Sequence, residues 1–182
     1  MSAALQPRPP TTLAEFVAWE GRQSTRYEWD GVQPIAMVGG SFAHTELASR
    51  FYDLLRAALR GTGCTVVRAD LKVLTARGTR ARYPDVAVTC TVIRPADTEI
   101  PEPVLLVEVL SETTAVADRG VKRAEYAALP SLRRYIMLAQ DQPVALVCER
   151  TTGFEEREVR GALELPEFDL SVSLAQLYEG LL

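Results

Sequence analysis

Val104-Leu105-Leu106-Val107-Glu108-Val109-Leu110 is the stretch on which the fold of this chain turns. Six of its seven residues are valine or leucine. A run of that length and composition predicts a strand covered on both faces, the central position of a sheet with helices above and below. One carboxylate, Glu108, sits inside it. An ionised carboxylate taken out of water must be protonated or matched by a cation. Taken alone, Glu108 is compatible with an arginine partner, a place near the sheet edge, or a metal ion.

The elements on either side alternate in a way that fixes the class. Downstream, residues 117–129 read as a helix stopped by Pro130. Strands follow at 134–139 and 144–149, then an acidic strand around 154–159 and a small helix near 174–181. Upstream, short strand-like runs lie at 65–67, 71–75 and 84–89. Before them, Leu47, Phe51, Leu54, Leu55 and Ala58 recur at helical spacing ahead of Gly61. Residues 26–37 predict a hairpin with Asp30-Gly31 in a type I′ turn, Pro34 confining its second strand to an edge. Thr12 and Glu15 form a capping box opening a first helix. The expected fold is α/β, a mixed sheet flanked by helices with an N-terminal helix-hairpin extension.

Composition bounds the rest. The chain has 182 residues, 47% hydrophobic and 24% charged, as in ordinary globular proteins. That predicts one domain over residues 12–182 behind a loose tail, 1–11, in which Pro7, Pro9 and Pro10 block regular structure. No apolar run approaches the ~18 residues of a membrane helix, and residues 1–10 lack the pattern of a secretory signal. Three scattered cysteines, Cys64, Cys90 and Cys148, argue against a disulfide framework and for a reducing cytoplasm. A single histidine, His44, excludes all-histidine metal sites, and the net charge of −4 excludes a globally basic nucleic-acid coat.

Three features carry chemistry. Asp85 follows Pro84, which removes a ladder donor and places the carboxylate at a strand entrance. If its strand pairs with that of Glu108, the two carboxylates face each other across ~5 Å, a separation that suits a shared divalent metal. Asp118, Lys122 and Tyr126 are spaced i, i+4, i+8 along one helix face. They are either a surface ladder or a means of bringing the Lys122 ammonium over the end of the Glu108 strand. Finally, residues 60–82 hold six basic side chains against Asp70, leading directly into Pro84-Asp85. Arg77, Arg80 and Arg82 are therefore candidates for contact with a nucleic-acid backbone.

Pro84-Asp85, Glu108-Val109-Leu110-Ser111, Asp118, Lys122 and Tyr126, in that order, resemble the Uma-type restriction endonuclease family of the PD-(D/E)XK nuclease superfamily. Tyr27-Glu28-Trp29-Asp30-Gly31 is similar to the family's glutamate-bearing hairpin. His44 lies where members carry a histidine. The resemblance covers roughly residues 12–160. It implies an αβββαβ core, magnesium or manganese held by Asp85 and Glu108, and metal-dependent hydrolysis of DNA phosphodiester bonds. Glu28 and His44 are further site candidates. The superfamily's lysine, expected two residues after the glutamate, is replaced by Leu110, and the resemblance assigns its role to Lys122. Homodimers are the fold-level expectation for cutting two strands. The alternative is a catalytically inactive nuclease fold serving as a nucleic-acid-binding or protein-interaction module.

Overall fold

The computed structural model describes residues 8–37, 39–68, 70–111 and 114–182; most of the expected N-terminal tail, residues 1–7, lies outside them. In chain order the elements are α1 (Leu13–Glu20), β1 (Tyr27–Trp29), β2 (Pro34–Ala36), α2 (Phe42–Ala58), β3 (Thr65–Arg68), β4 (Val73–Thr75), β5 (Arg80–Arg82), β6 (Val86–Thr89) and β7 (Pro103–Val109). A helix over residues 115–127 follows, built from α3 (Ala115–Ala117), a π-helical turn (Asp118–Lys122) and α4 (Arg123–Ala127). The chain ends with β8 (Arg134–Leu138), β9 (Val144–Glu149), β10 (Glu156–Arg160), β11 (Ala162–Leu165), β12 (Leu170–Ser173) and α5 (Leu174–Leu177).

The main sheet has the order β10-β9-β8-β7-β6-β3, with β7 and β8 parallel and the other neighbours antiparallel. The strand of Glu108 thus lies inside the sheet, as its apolar run predicts. Its alternation divides the core. Leu105, Val107 and Val109 pack with Leu47, Phe51 and Leu55 of α2. Leu106 packs with Tyr126, Leu132 and Tyr135 beneath the 115–127 helix. Glu108, two residues after Leu106, projects from that second face. Taken as α2-β3-β6-β7-helix-β8, the chain has an αβββαβ core, and β4 and β5 are inserted between its first two strands.

That insertion builds a second sheet, ordered β2-β1-β5-β4, which includes the N-terminal hairpin. Phe16 of α1 stacks on Trp29 of β1 with ring centroids 5.4 Å apart, and both pack on Ala81 of β5. Pro34 lies in an edge strand, as expected. The hairpin turn differs from the two-residue form. Tyr27 pairs with Ala36 and Trp29 with Pro34, leaving a four-residue loop. The Asp30 carboxylate accepts from the amides of Val32 and Gln33 at 2.8 and 2.7 Å, so a side chain closes the turn.

The expectation about cysteines is corrected outright. Cys64 and Cys90 form a disulfide, because β3 pairs with β6 so that Thr65 lies opposite Thr89 and the residues just beyond are neighbours. Cys148 is buried and free. With two cysteines paired, their scatter along the sequence no longer argues for a reducing compartment. No helix among the described residues is long and apolar enough to cross a membrane.

Candidate active site

Val86 of β6 pairs with Val107 of β7, so one step back along β6 brings Asp85 level with Glu108. The Asp85 carboxylate spans two elements. Its Oδ2 accepts from the Val109 amide at 2.7 Å, and its Oδ1 lies 3.1 Å from His44 Nε2. His44 stands in the first turn of α2, whose N-cap Ser41 accepts the His44 amide and donates to Gln140. Gly40 makes room for the imidazole: a Cβ there would come within 2.7 Å of the ring.

Glu108 is buried. Its Oε1 accepts from Lys122 Nζ and from the Tyr126 hydroxyl, each at 3.1 Å. The Lys122 ammonium also lies 3.0 Å from Glu28 Oε1 and 3.1 Å from Asp118 Oδ1. The π-helical turn explains the convergence of Asp118, Lys122 and Tyr126. In a regular α-helix, each i, i+4 step drifts by about 40° around the axis. Here the Arg123 amide reaches the Asp118 carbonyl five residues back, and this wider turn offsets the drift. Lys122 thereby presents its charge to Glu108, whereas Leu110 supplies only packing.

Glu28 arrives from the second sheet. Trp29 pairs with Ala81, which sets Glu28 across from Arg82. Arg82 Nη1 donates to Glu28 Oε2 at 3.1 Å, and the Tyr83 amide donates to Glu28 Oε1 at 3.3 Å. The rest of the Arg82 guanidinium grips Glu125 of α4 with bonds of 2.9 and 2.8 Å. Glu125 also accepts from Arg80 at 2.6 Å and Thr75 at 2.7 Å. The three arginines named as candidates for a nucleic-acid backbone are placed differently from one another. Arg82 is 5% exposed and committed to two carboxylates. Arg80 is half-buried against one. Arg77, at a left-handed turn after β4, is exposed.

Burial pushes the Glu108 carboxyl well above its ordinary range; Lys122 opposes this, and Asp85, Asp118 and Glu28 add to it. Burial works against the Lys122 charge, but Glu108, Glu28 and Asp118 outweigh it and hold the ammonium above the ordinary lysine range. The hydrogen bond to Asp85 raises His44 against the effect of its burial. Burial lifts the Tyr126 hydroxyl far above its usual value, so it serves as a donor.

The ion pairs join four carboxylates (Glu28, Glu108, Asp118, Glu125) to three fixed cations (Arg80, Arg82, Lys122), and Asp85 pairs with His44, so acidic groups outnumber the fixed cations. Buried Asp118 Oδ1 has ion-pair proximity to Lys122 but makes no hydrogen bond. Among the described residues no three His, Cys, Asp or Glu side chains form a ready cage for a metal. The donor set of hard carboxylate oxygens and the charge excess fit a divalent cation nonetheless. Glu125 is a site residue that the sequence did not single out, and Arg82, a candidate contact for a nucleic-acid backbone, instead holds two carboxylates. Nothing local signalled Glu125, whose partners Thr75, Arg80 and Arg82 are 50, 45 and 43 residues away.

The family described as "Uma2: Putative restriction endonuclease" matches residues 13–177. The chain belongs to the Uma2 family. Two relatives from Synechocystis sp. (strain ATCC 27184 / PCC 6803 / Kazusa) are similar to it. "Uncharacterized protein slr1290" is 32% identical over 96% of this chain and 95% of its own length. "Uncharacterized protein sll1609" is 26% identical over 71% of this chain and 75% of its own. Among solved structures, the "putative nuclease belonging to DUF820" from Anabaena variabilis ATCC 29413 superposes with a TM-score of 0.73 at 17% identity, covering 95% of this chain and 100% of that one. This likeness shows that the fold is restriction-endonuclease-like. Position 110 is leucine, and the lysine beside Glu108 is Lys122 of the following helix.

Proposed function

We propose that this Uma2 protein is a divalent-metal-dependent endonuclease that hydrolyses DNA phosphodiester bonds. The observation that carries the reading is the pairing of β6 with β7, which sets Asp85 level with Glu108 while Lys122 reaches the same carboxylate. Asp85 and Glu108 would hold magnesium or manganese. When bound, the metal supplies Lewis-acid polarisation of the scissile phosphate and a water of lowered pKa. His44 holds Asp85 in place through Nε2, and Tyr126 fixes Glu108 through its hydroxyl. Lys122 provides a preorganised positive charge beside the carboxylates, which orients the attacking water or offsets charge developing on the phosphate. Exposed Arg77, with half-buried Arg80, offers a backbone contact on the approach to Asp85. Residues 12–182 act as one unit, and a cytoplasmic homodimer is the assembly that would cut both strands of a duplex.

The test is plasmid cleavage with manganese, read on agarose, beside calorimetric manganese titration. Asp85→Asn and Glu108→Gln should each abolish metal binding and cleavage. Lys122→Ala should cut turnover by ~100-fold or more, the scale of losing one preorganised electrostatic group. Manganese affinity unchanged in both carboxylate variants would remove the metal site. No cleavage by the parent on duplex or single-stranded DNA would favour the non-catalytic module.

A further inference from the structure

We propose that Lys122 is a built-in counter-cation that holds the acidic cluster together without metal and competes with the divalent metal for Glu108; this rests on the metal reading above. The Lys122 ammonium lies within 3.0–3.1 Å of carboxylate oxygens from three separate elements: Glu28 on β1, Glu108 on β7 and Asp118 in the π-helical turn. A small cation sharing carboxylates from converging segments is the arrangement a hard metal ion adopts. Here the chain supplies the cation itself.

Two further observations agree. Among the described residues no three carboxylates form a ready metal cage, whereas Glu28, Glu108 and Asp118 meet at Lys122 Nζ. And Asp118 Oδ1, though buried, has only the ion pair and no hydrogen bond, so Lys122 does not fully satisfy the acceptors around it. Two cations at one carboxylate oxygen repel strongly in a site screened from water. Glu108 Oε1 carries Lys122 and Tyr126, so a metal at Glu108 must share that oxygen with the ammonium or bind the neighbouring Oε2, and either way the two cations repel at close range. Glu28 and Asp118 remain to receive the ammonium. By linkage, whatever Lys122 contributes to the metal-free protein is subtracted from apparent metal affinity. The resident lysine thus has a cost in affinity that a strictly catalytic or strictly packing lysine would not have.

The experiment compares the full chain with Lys122→Met and Lys122→Gln, by calorimetric titration with manganese chloride alone and by thermal melting with and without manganese. Met retains the aliphatic stem and removes the charge; Gln removes the charge and retains a donor, and serves where Met does not fold. The neutral variants should bind manganese roughly tenfold or more tightly than the parent, the scale of removing one charge beside a ligand. Without metal they should melt below the parent, and excess manganese should narrow that gap. Equal or weaker manganese binding by the neutral variants, with clear binding by the parent, overturns the competition and leaves the metal site standing. Absence of manganese binding in parent and variants alike overturns both.

Discussion

Glu28 and Arg82 face each other across β1 and β5, joined at 3.1 Å, and the same guanidinium continues to Glu125 on the helix that carries Lys122. One buried arginine therefore couples the second sheet to the helix above the main sheet. Its charge faces two carboxylates in a site screened from water.

Arg82→Met should destabilise the protein by about 3–5 kcal/mol, the scale of stranding buried charges. Arg82→Lys should recover only part of this, since an ammonium cannot reproduce the fork of bonds to Glu28 and Glu125. Urea unfolding midpoints measure both. A loss under about 1 kcal/mol in Arg82→Met would show that the network is not what joins the two layers.

Acid should weaken the same network. Hydrogen bonds from Arg82, Thr75 and Arg80 outweigh burial and hold Glu125 below its ordinary value of 4.5. A depressed carboxyl contributes stability that is present above the unfolded value and is lost as pH falls through the folded one. The stability gap between the parent and Glu125→Gln should therefore be full at neutral pH and shrink below about pH 4.5. Chemical denaturation at several pH values reads it. A gap that stays constant down to acid would mean that Glu125 acts by shape, not charge.

Gly40→Ala should disturb the site without touching a carboxylate. The added Cβ would fall 2.7 Å from the His44 ring and push it off Asp85. His44 is the chain's one histidine, so its ring-proton NMR signals stand alone. Asp85→Asn should shift those signals in the parent background and leave them nearly unmoved in the Gly40→Ala background. Equal shifts in both would show that the ring tolerates the methyl.

Arg77→Ala should weaken DNA binding and reduce the log–log salt slope by roughly one, the loss of a single phosphate contact. Fluorescence anisotropy over a salt series measures it. A parental slope in the variant would place the nucleic-acid surface elsewhere.

Much of the main sheet was legible in sequence because its strands are apolar and its helices keep a steady period. Glu108 was legible because a carboxylate inside Val104 to Leu110 contradicts its surroundings, and Pro84 marked the strand entrance at Asp85. β5 was not. Arg80-Ala81-Arg82 resembles a solvated loop, since the partner that buries Arg82 is Glu125, 43 residues away. The same distance hid the true position of Arg82. The β11–β12 hairpin escaped because its burial alternates against α2 and its neighbours, with no flanking apolar run to announce it. The Cys64–Cys90 pairing needs the β3–β6 register, which spacing alone does not supply.

The π-helical turn at Asp118–Lys122 has a consequence for how this site can change. A wide turn accommodates one residue more than the α-helix it interrupts, so removing Gly120 would let residues 115–127 close into an ordinary helix. The apolar contacts of Tyr126 and Leu132 could then be kept by α4 and the segment after it, while everything before the deletion rotates by about 100°. Asp118 would swing away from the cluster that Tyr126 still faces. At this one position, the change that simplifies the backbone is the one that takes Asp118 out of the charge cluster, so part of the site can be lost while the helix is kept.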